Sequence, residues 1–97
     1  MDPRATQNLS GNTREIAALL DLMIRALVDY PEDVLVQTLE GSQSTIFEVK
    51  VNPDDVRRVI GRKGRTADAV REILINLGSK AGRRFLLEIV EPGAGRR

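Results

Sequence analysis

Apolar positions recur at two different periods along this chain, and the switch between them marks out its elements. Ile16, Leu19, Leu20, Met23, Ile24, Leu27 and Val28 follow the i, i+3, i+4, i+7 spacing of an amphipathic helix. Asn12 with Glu15 has the form of a capping box ahead of it, and the helix should end near Asp29, before Pro31. The simplest use of its stripe is to cover the domain's own sheet. Val34 to Leu39 is rich in β-branched residues. Thr45 to Val51 alternates, with Phe47, Val49 and Val51 on one side and Glu48 and Lys50 on the other. Both segments predict strands, and the turn residues Glu40-Gly41-Ser42-Gln43 join them as an antiparallel hairpin.

Asn52-Pro53-Asp54-Asp55 then supplies an N-cap, a proline at the first helical position and acids in the first turn. A short helix follows, with Val56, Val59 and Ile60 on its apolar face, until Gly61 stops it. After Gly64 a second helix runs from about Arg65 to Leu77, its stripe formed by Ala67, Val70, Ile73, Leu74 and Leu77. Gly78-Ser79-Lys80-Ala81-Gly82 reads as a flexible, basic connection to Arg83 and Arg84. Phe85, Leu87 and Ile89 alternate with Leu86, Glu88 and Val90 in a last strand. Residues 1–11 have the composition of a flexible leader, 12–91 of one domain, and 92–97 of a flexible basic tail. A crossover through two helices makes the central and last strands parallel neighbours. The expected fold class is α+β: a three-stranded mixed sheet with the helices packed on one face.

Charge changes this picture more than length does. A chain of 97 residues, 41% hydrophobic, supports one compact domain. Its net charge of +1 conceals an asymmetry. Residues 1–48 hold eight acids and three bases and residues 49–97 six acids and twelve bases, so the halves differ as −5 against +6. Such a split points to a basic surface and to nucleic-acid contact. The absence of cysteine and histidine excludes disulfides, zinc sites built from those residues and His-based catalysis. Asp54 with Asp55, and Glu32 with Asp33, are adjacent carboxylates better explained by capping and turn chemistry than by acid–base work. We expect no enzyme, no metal and no cofactor. No apolar run approaches the roughly 20 residues of a membrane span, so the expected location is cytoplasmic.

The chemistry concentrates in Val59-Ile60-Gly61-Arg62-Lys63-Gly64-Arg65. Glycine permits a tight turn and close approach of a ligand, the bracketed cations project from that turn, and the helix starting after Gly64 directs its free N–H groups into the same space. The loop lacks the Gly-Lys-Ser/Thr ending of a nucleotide-binding P-loop. Set between two short helices in the order α-β-β-α-α-β, it resembles the KH domain in its type II form. Tyr30-Pro31-Glu32-Asp33-Val34 and Gly64-Arg65-Thr66-Ala67 look like the small stand-alone bacterial KH-domain proteins, and the resemblance covers roughly Ile16 to Val90.

That resemblance implies a single-stranded RNA-binding protein, acting as a post-transcriptional regulator or RNA chaperone, whose glycine loop clamps the backbone of about four nucleotides. The role falls here on Gly61, Arg62, Lys63 and Gly64. Arg58 and Arg65 extend the cationic rim, Lys80, Arg83 and Arg84 form a second contact, and Val56, Val59, Ile60 and Val70 are candidates both for the groove floor and for the core. The chain's only aromatics are Tyr30, Phe47 and Phe85, and both phenylalanines fall on core faces, so a base-stacking platform is not expected. The resemblance also implies self-association and pairing with a larger Jag-type KH protein. The alternative is an adaptor subunit that binds RNA only with its partner. Ile75, off the apolar stripe, together with Ile73 marks a candidate dimer surface.

Overall fold

The computed structural model describes residues 11–91 together with 95–96. The expected leader and tail therefore lie, apart from Gly11, Gly95 and Arg96, outside the described residues. Helix α1 spans Gly11–Leu27, strand β1 Leu35–Glu40, strand β2 Ser44–Lys50, helix α2 Val56–Ile60, helix α3 Arg65–Ala81 and strand β3 Arg84–Glu91. Single 3₁₀ turns precede β1 (Pro31–Asp33), α2 (Pro53–Asp55) and α3 (Arg62–Gly64). β1 and β2 pair antiparallel, with Val36 opposite Val49 and Thr38 opposite Phe47, while β2 and β3 pair parallel, with Phe47 beside Leu87. A two-residue strand, β4 (Gly95–Arg96), adds antiparallel to Glu91 and Val90. The predicted order of elements is the observed one, an α+β fold on a mixed sheet.

One face of the sheet carries the core. Phe47, Val49, Phe85, Leu87 and Ile89 meet Leu20 and Ile24 of α1, Val59 of α2, and Ala67, Val70 and Leu74 of α3 in a single cluster. All three helices consequently lie on that face. Fully burying a side chain of this size stabilises by about 1.5–3 kcal/mol, so the cluster dominates the fold's stability. The rings of Phe47 and Phe85 meet edge to face, 5.4 Å between centroids, inside it. Neither is available to stack on a base.

Several boundaries and faces differ from the sequence reading. α1 stops at Leu27 and already contains Asn12, so that residue does not stand ahead of the helix as a cap. Within α1, Leu20 and Ile24 are buried whereas Leu19 and Leu27 are exposed, because one helix resting on a sheet covers a stripe narrower than its apolar residues occupy. Val34 is buried but precedes β1, its backbone N–H bonded to Pro31 in the 3₁₀ turn. Glu48, on the side of the strand opposite Phe47 and Val49, is also buried: it sits on the central strand, between Gln37 of β1 and Glu88 of β3.

The largest difference lies at the end of α3. The stretch expected to be a flexible connection is the helix's last turn, which runs to Ala81 and ends at Gly82 in the left-handed conformation, φ 71°. Gly78 makes this possible. A Cβ there would lie 2.5 Å from the Arg83 carbonyl oxygen and 3.3 Å from the Phe85 nitrogen, so only glycine lets the returning chain pass this close. Gly78→Ala should destabilise the fold by about 1–3 kcal/mol through that overlap, despite alanine's better helix propensity. Urea unfolding checks the sign.

Candidate nucleic-acid interface

The glycine loop is built on unusual backbone. Gly61 adopts φ 81°, ψ 169°, Lys63 φ 57°, ψ 25°, and Gly64 φ 75°, ψ 11°, so three of the four residues have positive φ. Lys63 is the only non-glycine of that kind among the described residues. The Gly61 N–H donates to the Arg57 carbonyl at 2.8 Å, closing α2, and the Gly64 N–H donates to the Gly61 carbonyl at 3.0 Å, closing the turn. The two glycines serve different needs. A side chain at Gly61 would collide with the Thr66 hydroxyl and lie 2.8 Å from the Thr66 nitrogen, whereas one at Gly64 would meet only the tip of Asp68, at 4.0 Å.

This turn aims its cations outward. Arg62, Lys63 and Arg65 are all exposed, and none forms an ion pair with another described residue. No side chain caps α3, so the positive end of its dipole adds to their field. Ile60 is half-buried behind them, while Val56, Val59 and Val70 are buried, Val59 and Val70 within the main cluster. An anion approaching the turn thus meets charge above an apolar base.

A groove runs between the second half of α3 and the neighbouring strand β3. Arg71 and Ile75 on the helix face Phe85, Leu86 and Leu87 on the strand, and the groove continues to Ser79 and Arg84, where it encloses about 310 Å³. Lys80 is exposed on the same last turn of α3, about 22 Å along the axis from Arg65 at 1.5 Å per residue. The cations at the two ends therefore cannot touch one phosphate, yet both stand on the helix that walls the groove. The sequence reading missed Arg71 and Leu86. Their signal was present in the i, i+4 line of Arg71, Ile75 and Ser79, but the strand that faces it is set by the fold.

Arg58, expected on the rim, and Arg83, expected in the second contact, are engaged elsewhere. Arg58 donates toward Asp55 (Nε to Oδ1, 3.3 Å) and Asp29 (2.8 Å). Arg83 turns inward, its side chain only 18% exposed. Its guanidinium donates to the Gly41, Ser42 and Ser44 carbonyls at 2.7–3.2 Å and to the Thr45 hydroxyl at 3.1 Å, with Glu40 at 3.8 Å. It holds the hairpin loop to the start of β3. Ile73 and Ile75 are 46% and 56% exposed and lie about 160° apart around α3, so one flat contact cannot cover both.

No helix among the described residues is long and apolar enough to cross a membrane. Residues 17–89 match the family model "KhpA/KhpB, KH domain". The chain is 40% identical over 73 residues to the RNA-binding protein KhpA of Borreliella burgdorferi, which covers 75% of this chain and 89% of that one. It is 40% identical to the RNA-binding protein KhpA of Aquifex aeolicus over 73 residues, 75% of this chain and 92% of the relative. With the protein of that name from Leifsonia xyli it shares 40% over 76 residues, 78% and 97% of the two chains. No solved structure matches.

The unequal demands on the two glycines are testable. Gly61→Ala should cost about 2–3 kcal/mol, since it combines a glycine-only backbone region with a clash. Gly64→Asn should cost less than about 1 kcal/mol, because asparagine tolerates the left-handed region and the space is open. Chemical denaturation of both variants gives the comparison.

Proposed function

The chain belongs to the KhpA/KhpB KH domain family, and from that premise we propose that it binds single-stranded RNA, clamping the phosphate backbone with Gly61-Arg62-Lys63-Gly64 and receiving the bases in the groove between α3 and β3. The observation that supports this reading is the turn itself: Arg62, Lys63 and Arg65 are exposed, none is in an ion pair with another described residue, and they stand on or beside a turn in which Gly61, Lys63 and Gly64 have positive φ. In the KH module such a loop holds about four nucleotides. Arg62, Lys63 and Arg65 supply the charge at one end and Lys80 and Arg84 at the other, with Ile60 and Ile75 lining the path. Arg58 and Arg83 contribute through the structure they hold.

Catalysis has no place in this reading. The relatives are named RNA-binding proteins, and the binding role fits a cytoplasmic post-transcriptional regulator or RNA chaperone. Three phosphates neutralised at about −0.7 each predict a log–log salt slope near −2, the signature of a weak binder. Pairing two such modules raises effective affinity without new contacts. Self-association, and pairing with a larger Jag-type KH protein, are therefore part of the proposal, with Ile73 on the α3 face turned away from the groove as the contact.

Two measurements test this. Wild type should bind a fluorescent single-stranded RNA with a slope near −2, and the folded double variant Arg62→Asp, Lys63→Asp should lose at least about tenfold in affinity, roughly one bidentate-strength contact. Equal binding by both would reject the clamp. Absence of binding by wild type alone, restored on adding a larger KH protein, would favour the adaptor reading. In sedimentation, Ile73→Asp should shift a wild-type dimer to monomer with RNA affinity per site retained. Ile75→Asp should keep the mass and weaken RNA binding.

A further inference from the structure

Strained backbone persists only where its surroundings over-determine it, and the glycine loop holds Lys63, a non-glycine, at φ 57° between glycines at φ 81° and 75°. Its two flanks are very unequal. α3, with 17 residues packed along the sheet, is a firm support, but α2 has five residues, far below the roughly 12–15 at which an isolated helix becomes even marginally stable. Something outside α2 must hold it in place.

Asp55 occupies the N-cap position of α2, yet its side chain makes no capping hydrogen bond to the backbone of that helix. It is fully buried and turned the other way. Oδ1 accepts the Asp29 N–H and Oδ2 the Tyr30 N–H, both at 3.0 Å, just past the end of α1. Arg58, one turn ahead of the clamp, bridges the same carboxylate to the Asp29 side chain. The local capping task belongs instead to Asn52, whose side chain accepts the Asp54 N–H at 2.9 Å.

We propose that Asp55, with Arg58, is a positioning residue of the backbone clamp: by fastening the start of α2 to the α1–β1 junction it holds Gly61 to Gly64 in the positive-φ turn that presents its cations to phosphate. The inference rests on the RNA-binding reading above. It assigns Arg58 to the clamp's support, and Asp55 to a contact across 25 residues of chain in place of capping its own helix.

The test compares Asp55→Asn, which retains shape but gives up one acceptor, with Thr13→Val. The latter removes a buried hydroxyl that donates to Glu40 at 3.0 Å, at the start of α1. Binding of a fluorescent oligouridylate of about 8 nucleotides, a length within single-strand site sizes, is measured where circular dichroism shows each variant folded. Amide exchange is followed at Arg62 to Arg65. Asp55→Asn should weaken binding about tenfold and speed exchange in the loop, while Thr13→Val leaves both unchanged. A folded Asp55→Asn that binds and exchanges like wild type overturns the proposal, as does equal loss in Thr13→Val.

Should Asp55→Asn not fold, Arg58→Lys serves: it keeps the cation but cannot fork between two carboxylates. Weakened binding with faster loop exchange supports the positioning role, and unchanged binding overturns it. Wild type that fails to bind the oligonucleotide rejects the RNA-binding reading. In that event loop exchange in Asp55→Asn still decides whether the carboxylate holds the loop.

Discussion

A carboxylate removed from water needs donors enough to replace its hydration, and the corner where α1, β1 and α2 meet is organised by that requirement. Asp55 receives two backbone N–H groups and a guanidinium. Without the carboxylate those two N–H groups beyond α1 would lose their partner, and without them the carboxylate would be a buried charge. Because each side's deficit is met by the other, the corner has one arrangement. The short α2 inherits its place from it, and the glycine turn inherits its place from α2.

The same economy governs the basic half of the chain. Twelve bases lie between Val49 and Arg97, and five of them fall into two physical groups. Arg58 and Arg83 are guanidiniums whose planar forks reach several acceptors at once, and each ties together segments distant in sequence. Arg62, Lys63 and Arg65 stand on a turn too tight to offer them partners, so their charge faces solvent. Arginines close together in sequence thus end in opposite roles. Charge that is internally satisfied contributes stability, and charge left exposed on the turn stays available to a partner.

Much of the fold was legible in the chain because its elements obey simple periods. The alternation around Phe47 and Val49, the spacing of Ala67, Val70 and Leu74, and the glycines at 61 and 64 each express a local rule and were read correctly. Gly78 to Gly82 was misread for an equally physical reason. Two glycines and a serine resemble a linker, yet Gly78 is small so that a helix and a returning strand can touch, a contact between residues that spacing alone does not bring together. Ile73, read as part of the apolar stripe, is exposed, because such a stripe shows which residues share a face, but not how wide a strip its neighbours cover.

By itself the sequence determined the order of helices and strands, the place of the glycine turn between two helices, and the cations on it, since all of these follow from periodicity, capping and the conformational freedom of glycine within a few residues. Only the tertiary structure decided that β3 faces α3 to form a groove, that Arg83 and Arg58 spend their donors inside the fold, and that Asp55 serves the end of α1 in preference to its own helix. Those outcomes depend on which groups are brought within hydrogen-bond reach across 25 to 42 residues of chain. Donors and acceptors so far apart in sequence have no local pattern. They find each other only when burial of the core removes water as the competing partner.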